Sequence, residues 1–202
     1  MKILHKIRPV EVKRAFVISQ KIRFSRGKDK KYLPKLSRDQ FLKKLRQAKV
    51  AVKKLSEKEL DKIIAKKHHK RARAYNNAEW YRARVSVEEV GVWRRAGGLP
   101  SSWTCCVLSQ TALKVKKGFE QNSKLIRARA KRTIPRIMQL AGIISKERYL
   151  FPIVFAGGIG TRGRKWCRKK TKGDIDDGCM RSIVLAVLGY KELSVYFGKP
   201  KN

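Results

Sequence analysis

The sequence predicts an α+β protein in which helices pack against a mixed sheet, with a basic helical hairpin near the N-terminus. Two observations lead to this prediction. Two helix starts are marked by capping boxes before residue 60, and apolar segments of strand length alternate with helical segments from residue 80 onward. That order also fits a split βαβ arrangement. We expect a basic N-terminal segment over residues 1–75 and an α+β domain over residues 76–202.

The N-terminal segment contains a predicted strand region followed by two helices. Apolar residues over 3–18 indicate a strand or two, and a basic loop follows over 21–35. Residues 37–40 (SRDQ) and 56–59 (SEKE) fit the capping box, in which a serine hydroxyl accepts from the third helical amide and Gln or Glu reaches back. The apolar positions of these two helices are predicted to face the core: Phe41, Leu42, Leu45, Leu60, Ile63 and Ile64.

Strands and helices are predicted to alternate in the remainder of the chain. Residues 82–93 alternate as a strand, the GGLP sequence at 97–100 marks a turn, and residues 103–108 have the composition of a buried strand. A basic helix is predicted over 121–141, which Pro135 interrupts or restarts. The last predicted elements are a strand over 149–156, a helix over 177–188 and a strand over 193–197.

The charge of the chain points to a polyanionic partner. There are 52 Lys and Arg against 15 Asp and Glu, a net charge of +37 on 202 residues. Residues 1–75 carry 26 basic and 6 acidic side chains, and residues 76–202 carry 26 and 9, so the surplus is not confined to one tail. So much like charge is self-repulsive in a folded protein unless a polyanion neutralises it. Nucleic acids are the most abundant intracellular polyanions, and we expect them as the partner.

Other classes of protein are not indicated. No run of apolar residues approaches the roughly 18 that a membrane span needs, and the first 16 residues have no apolar stretch typical of a signal peptide. The four cysteines form neither a CxxC pair nor an evenly spaced framework, and their spacing matches no zinc ribbon or knuckle. We therefore expect an intracellular protein in a reducing compartment, the cytoplasm or an organelle matrix, with no membrane partner and no cofactor.

The first candidate binding segment is the basic run over residues 66–84 (KKHHKRARAYNNAEWYRAR). Arginine can pair with phosphate oxygens through two nitrogens, and aromatic rings can stack on unpaired bases. The residues predicted to bind are Lys66, Lys67, Lys70, Arg71, Arg73, Tyr75 and Trp80. The alternative is a solvated helix end whose aromatic side chains belong to the core. His68 and His69 are surrounded by cations, which disfavour a metal there.

The second candidate segment is the predicted basic helix over residues 124–136 (KLIRARAKRTIPR). Its predicted binding residues are Arg127, Arg129, Lys131 and Arg132. Leu125 and Ile126 are predicted to face the core, and the small alanines between the charges would allow close approach to a phosphate backbone. The alternatives are a solvated basic helix face, or a helix-turn-helix with its turn at 139–143.

The third candidate segment is the glycine-rich basic run over residues 157–173 (GGIGTRGRKWCRKKTKG). Glycines let backbone N–H groups approach phosphates closely, and the following cations can hold a strand. The residues predicted to bind are Arg162, Arg164, Lys165, Arg168, Lys169 and Lys170. Residues 157–165 resemble the glycine-rich loop of the repeat-associated RNA-binding proteins of CRISPR systems, which would imply RNA binding here. The alternative is a basic loop that orders only on binding.

The fourth candidate segment, residues 172–178 (KGDIDDG), carries the candidate catalytic residues Asp174 and Asp176. An apolar strand, a basic loop and Asp-x-Asp before a helix resemble the Holliday-junction resolvases of the RusA type. That resemblance implies that both aspartates ligate Mg²⁺ for phosphodiester hydrolysis and that Arg181 stands near the family's lysine. Asp177 replaces the family's Asn, and no later Asp-Asp pair follows. The alternative role is capping of the next helix by Asp176 or Asp177.

We interpret the chain as a non-enzymatic nucleic-acid-binding protein that contacts phosphates through basic loops and helices. RNA is favoured over duplex DNA because the cations are dispersed, aromatic residues are mixed among them and no groove-reading motif is present. A ribonucleoprotein component, ribosomal or viral, fits best. The alternative is a Mg²⁺-dependent endonuclease or junction resolvase that uses Asp174 and Asp176. A membrane-surface protein is disfavoured because no helix pairs a cationic face with a broad apolar one.

Overall fold

The computed structural model describes residues 1–22, 37–104, 107–159 and 171–201. This part of the chain confirms the α+β class, since seven helices accompany a mixed six-stranded sheet. The elements are β1 (Lys2–Ile7), α1 (Pro9–Lys21), α2 (Arg38–Lys53), α3 (Glu57–Asn76), β2 (Ala78–Ser86), β3 (Val90–Gly91), α4 (Leu108–Glu120), α5 (Ala128–Gln139), α6 (Ala141–Ile144), β4 (Ile153–Phe155), β5 (Gly173–Asp177), α7 (Cys179–Val187) and β6 (Glu192–Pro200).

The sheet has the strand order β1-β2-β6-β4-β5-β3. β2 and β6 pair antiparallel along nine positions, from Ala78 opposite Pro200 to Ser86 opposite Glu192. β6 also pairs with β4, in parallel, and the chain returns from β4 to β6 through β5 and α7. β4 and β5 are antiparallel, whereas β3 and β5 are parallel. The sheet contains both parallel and antiparallel pairs because the connection from β4 through β5 and α7 brings β6 back alongside β4 in the same direction.

Two groups of helices pack against the sheet and against each other. α1 contacts α2, α3 and β2, while α7 contacts α4, α5 and α6. Because β1 pairs with β2, the segment over 1–75 contributes a strand and core side chains to the same sheet as residues 76–202. No helix within the described ranges has the length and hydrophobicity needed to cross a membrane.

The two helix starts marked in the sequence are confirmed. Ser37 Oγ accepts from the Gln40 amide at 3.2 Å, and Gln40 Oε1 accepts from the Ser37 amide at 3.0 Å. The same reciprocal pair joins Ser56 and Glu59, at 3.3 Å and 2.7 Å. The prediction that Ile63 faces the core is wrong, since this side chain is 44% exposed. Both helices pack on α1, which places their lysines on the outside.

Other predicted elements differ from the structure. Residues 9–21 form a helix rather than a second strand, because Pro9 occupies the first turn and the buried residues of α1 cover a helical face. Residue 103 lies in a turn and Leu108 begins α4, so the predicted strand over 103–108 is wrong for its described residues. Only Val107 forms an isolated bridge, with Gly91. Residues 105 and 106 lie outside the described ranges.

The basic helix predicted over 121–141 is shorter than expected. It spans Ala128–Gln139 and contains Pro135 without ending there. Asn122, with φ 45°, lies just beyond the C-terminus of α4. α6, which comes directly after α5, covers only four residues and is too short for a recognition helix, so the helix-turn-helix alternative with its turn at 139–143 is wrong. Ile126 is buried as predicted, but Leu125 is 60% exposed.

A buried lysine joins the two ends of α3. Lys13 on α1 has no exposed surface, and its Nζ donates to Glu57 Oε1 at 2.7 Å and Asp61 Oδ2 at 3.0 Å. It also donates to Asn76 Oδ1, at the other end of α3. A straight helix rises about 1.5 Å per residue, so residues 57 and 76 would lie roughly 28 Å apart. α3 must therefore fold back on itself.

The bend in α3 lies at His68, whose backbone is not helical, with φ −147° and ψ 55°. Residues 57–67 and 69–76 thus form two shorter helices that return toward the same ammonium group. The basic run over 66–70 therefore lies at the bend. Its lysines and His69 are exposed, while His68 packs edge-on against Phe16 with ring centroids 5.7 Å apart.

Candidate functional site

A cleft of about 310 Å³ lies between the bend of α3 and the start of β5. We call it the first cleft. It is lined by residues 67–71 of α3, by residues 174–176 of β5, by Gly158 and Ile159, and by Trp93. The cations at its rim are Lys67 and Lys70, with His69 beside them. This cleft therefore joins the first, third and fourth segments that the sequence singled out.

A second cleft, also of about 310 Å³, adjoins the first and shares His68, Arg71, Trp93 and Asp176 with it. Its other walls come from the end of α1, the turn at 95–98, one face of α5 and the start of α7. The residues that line it from those elements are Ser19, Gln20, Arg95, Gly97, Gly98, Arg129, Thr133, Ile137, Asp177, Gly178, Cys179, Met180 and Arg181. Residues of α3 and α5 therefore line the same pair of adjoining clefts.

Asp176 is held by side chains from α3. The Arg71 guanidinium pairs with it through two nitrogens, Nε with Oδ2 and Nη2 with Oδ1 at 2.8 Å. The Tyr75 hydroxyl donates to Oδ2 at 2.7 Å. The side chains of Arg71 and Asp176 are 13% and 8% exposed. Both carboxylate oxygens are therefore engaged inside the protein.

Electrostatic interactions within this group shift the pKa values of Arg71 and Tyr75. Burial opposes the charge on Arg71, but the facing Asp176 carboxylate outweighs it and the pKa of Arg71 is raised. Burial and the same carboxylate raise the pKa of Tyr75 well above its usual value, so its hydroxyl stays a hydrogen-bond donor. The group fixes the second half of α3 against β5.

Asp177 is held by α1 and α7. Ser19 Oγ donates to Oδ2 at 2.9 Å, Gln20 Nε2 donates to Oδ1 at 3.0 Å, and Arg181 Nη2 donates to Oδ2 at 2.9 Å. Burial by itself would raise the pKa of Asp177, but the Arg181 and Arg71 guanidinium groups and the Ser19 hydroxyl lower it below its usual range. Asp177 is therefore an anion that ties two helices together.

The predicted helix-capping role of Asp176 or Asp177 is wrong. The N-cap of α7 is Gly178, with φ 89°, and no side chain caps the helix there. A Cβ at Gly178 would lie 2.9 Å from Arg181 Nη2, so the glycine makes room for this arginine to reach back to Asp177. The two carboxylates serve the salt bridges described above instead.

Asp174 forms part of the wall of the first cleft between two glycines. A Cβ at Gly91 would lie 2.1 Å from its Oδ1, and a Cβ at Gly158 would lie 2.8 Å from its Oδ2. Only glycine leaves space for this carboxylate on both sides. Its neighbour Ile175 is buried in the core, as expected from alternation along β5.

A Mg²⁺ site formed by Asp174 and Asp176 does not fit the side chains in this conformation. Arg71 and Tyr75 already occupy both oxygens of Asp176, and a metal there would have to displace them. Across the described ranges, no three His, Cys, Asp or Glu side chains are grouped so that they could hold a metal ion. Asp174 alone supplies too few ligands.

The cations predicted to bind fall into three sets. Most cations of α3 and α5 are exposed, as binding requires: Lys66, Lys67, Lys70, Arg73, Arg127, Arg129, Lys131 and Arg132. Arg71 is half-buried and paired with Asp176. Six residues of the glycine-rich run lie outside the described part of the chain: Arg162, Arg164, Lys165, Arg168, Lys169 and Lys170.

The expected stacking role of Tyr75 and Trp80 is not compatible with their positions. They are 0% and 1% exposed, their rings meet edge-on with centroids 5.1 Å apart, and the Trp80 indole donates to the Tyr75 carbonyl at 3.0 Å. Neither ring can reach a base in this conformation. Both belong to the core beneath the bend, which was the alternative interpretation of this segment.

Trp93 and Arg95 line the clefts but were not among the residues predicted to bind. Trp93 is half-buried and contributes to both clefts. Arg95 is exposed and has a left-handed backbone, with φ 59°. The signal that could have found them is an aromatic residue followed by two arginines just before the Gly97-Gly98 turn, on a loop rather than inside the assigned strand.

Comparison with protein families, with curated proteins and with solved structures found no match for this chain. The two resemblances noted in the sequence stay hypotheses about short segments. The function must be argued from the clefts and from the charges around them.

Proposed function

We propose that this chain binds nucleic acid by contacting phosphates along the surface that joins the two clefts. The observation that carries the proposal is the convergence of cations from distant parts of the sequence. Arg95 of the turn and Arg129 of α5 line the second cleft, and Lys67 and Lys70 of α3 line the first, while the charge of Arg71 between them is balanced by Asp176. Cations gathered at a concave surface raise the local concentration of a polyanion.

The distribution of carboxylates supports the same proposal. Several of the few acids are paired away from this surface: Glu57 and Asp61 with Lys13, and Glu147 with Lys49. Others neutralise Arg71 and the buried Arg181 beneath the clefts. Lys66, Lys67 and Lys70 at the bend form no ion pair with any described carboxylate. Phosphates of a bound strand would supply the missing counter-charge.

We propose that RNA is preferred over duplex DNA. Trp93 lies where the two clefts meet, and an aromatic ring beside basic side chains offers a surface on which an unpaired base can stack. A component of a ribonucleoprotein is the role that fits this preference.

The proposal is tested by measuring Kd for single-stranded RNA, single-stranded DNA and duplex DNA by fluorescence anisotropy at several salt concentrations. If six to ten phosphates are contacted, affinity should fall by roughly 10³–10⁵ between 50 and 200 mM salt. RNA should bind most tightly. A flat salt response, or no binding to any of the three at low salt, would contradict the proposal.

A charge-matched pair of variants locates the binding surface. Lys67→Ala with Lys70→Ala should weaken RNA binding and lower the salt slope by about 2, since each phosphate contact contributes about 1. Lys43→Ala with Lys44→Ala removes the same charge from exposed positions of α2 and is the control. Equal losses in the two double variants would show that net charge, not this surface, governs binding.

The endonuclease alternative is kept because Asp174 and Asp176 line the same cleft as the cations of the bend. It requires Arg71 to release Asp176 when substrate and metal bind. We expect no cleavage of RNA, single-stranded DNA or four-way DNA junctions with Mg²⁺ or Mn²⁺. Cleavage that is lost in both Asp174→Asn and Asp176→Asn, with binding retained, would establish the alternative instead.

A further inference from the structure

A third concave surface, of about 420 Å³, lies between the second half of α1 and residues 63–68 of α3. We call it the α1–α3 groove. Phe16 and Val17 line it from α1 and are each 2% exposed, whereas Ile63 lines it from α3 and is 44% exposed. Ile63 had been expected in the core from its helical spacing. Instead it contributes apolar surface that no described part of the chain covers.

Three lysines line the same groove, and all of them are exposed. Lys21 lies in the last turn of α1, and Lys66 and Lys67 lie just before the bend of α3. None of the three pairs with a described carboxylate, and no Asp or Glu is among the described residues that line the groove. The C-terminal ends of two helices carry about −0.5 charge each, which leaves a positive surplus against three ammonium groups.

The α1–α3 groove is continuous with the first cleft, because Lys67 and His68 line both. A strand whose phosphates contact Lys67 and Lys70 therefore passes the mouth of the groove. Unpaired bases place their faces against aromatic or apolar side chains while nearby cations hold the phosphates. The volume of the groove lies within the roughly 300–1,000 Å³ typical of small-ligand pockets, which leaves room for one nucleotide.

We propose that the α1–α3 groove holds one unpaired base of the bound RNA. The base lies against Ile63, above Phe16 and Val17, and Lys21 and Lys66 pair with the adjacent phosphates. The inference deepens the proposed function and rests on it, since the same strand contacts the first cleft. It also adds a reason for the preference over a duplex, because only a base without a partner strand can enter a groove.

The decisive variant is Ile63→Ala, measured with two polyanions: single-stranded RNA, and inorganic polyphosphate, which carries charge but no bases. Affinity for RNA should fall about tenfold, as the loss of one base contact implies, and affinity for polyphosphate should not change. Val50→Ala is the control, because Val50 is 59% exposed on α2 and does not line the clefts or the groove. Both positions are exposed, so both variants should melt close to wild type.

A second pair of variants tests the lysines of the groove. Lys21→Ala with Lys66→Ala should weaken binding of RNA and of polyphosphate and should lower the salt slope for RNA by about 2. Lys43→Ala with Lys44→Ala again removes the same charge from α2 and should have the smaller effect. Equal effects of the two double variants would contradict the assignment of phosphates to Lys21 and Lys66.

The outcomes separate this inference from the proposed function. If wild type and Ile63→Ala bind RNA equally well, the base site is wrong and the proposed function stands. If Ile63→Ala loses RNA and polyphosphate to the same extent, the loss does not come from a base and the inference is again wrong. If Ile63→Ala weakens binding to phosphatidylserine vesicles but not to RNA, the groove takes a lipid instead. If the wild-type protein binds no RNA, both proposals fall.

Discussion

Replacing Lys13 by Met tests whether one buried ammonium holds the bend of α3. The ammonium joins Glu57 and Asp61 at one end of the helix to Asn76 at the other, and Lys13 has no exposed surface. Methionine keeps most of the apolar stem and fills a similar volume. The substitution therefore removes the three hydrogen bonds and the charge while it leaves little cavity.

The expected loss of stability follows from the exposure of the partners. Removing one member of a buried ion pair costs about 3–5 kcal/mol, because the remaining charge is left without compensation. The side chains of Glu57 and Asp61 are 51% and 30% exposed, so water replaces part of what they lose. We expect about 2–3 kcal/mol, which at about 2–4 °C per kcal/mol lowers the melting temperature by about 4–12 °C.

The assay is thermal unfolding followed by circular dichroism, with hydrogen exchange of residues 69–76 as a second measurement. Lys6→Met is the control, because Lys6 pairs with Glu79 at the surface and their side chains are 65% and 38% exposed. An exposed pair contributes about 1 kcal/mol or less. If Lys13→Met melts within about 1 °C of the control, the ammonium does not hold the bend.

Three further predictions concern the groups beneath the clefts. Tyr75→Phe removes the donor to Asp176 and should cost about 1–3 kcal/mol in a denaturant titration, since that acceptor is charged and buried. The pKa of Asp177 is lowered in the folded protein, so its contribution is complete above the unfolded value of about 3.9 and is lost as the pH falls through the lower folded value. The melting temperature should therefore drop below about pH 4, and Asp177→Asn should flatten that drop. Gly97→Ala should destabilise by about 1–2 kcal/mol in the same titration, because its φ is +63° and a Cβ would lie 1.9 Å from Met180 Sδ.

The sequence predicted where α2 and α3 begin, but it missed α1, which was expected to be strand, and it did not predict how α3 folds back. Capping boxes and apolar spacing are local signals, and they mark Ser37 and Ser56 correctly as helix starts. The bend at His68 brings both ends of α3 to Lys13, which lies on another helix, so its contacts are not local in sequence. Nothing in residues 57–76 interrupts the helical pattern, so local reasoning continues it as one helix.

The restriction to local sequence signals also explains which parts of the candidate site could be predicted. Exposed cations on α3 and α5 could be predicted because lysine and arginine are rarely buried without a partner. The roles of Asp176 and Tyr75 could not, because their hydrogen bond joins residues 101 positions apart in the sequence. Aromatic residues within a basic run look the same in sequence whether they face a ligand or the core, and the fold put Tyr75 in the core.

The position of β6 in the sheet affects how the chain can be assembled during synthesis. β6 follows the other five strands in the sequence, yet it lies between β2 and β4. Until the ribosome has released residues 192–200, the sheet exists at most as two separate pieces, each with an open edge. Loss of this strand would divide the sheet into two pieces rather than shorten it at one edge.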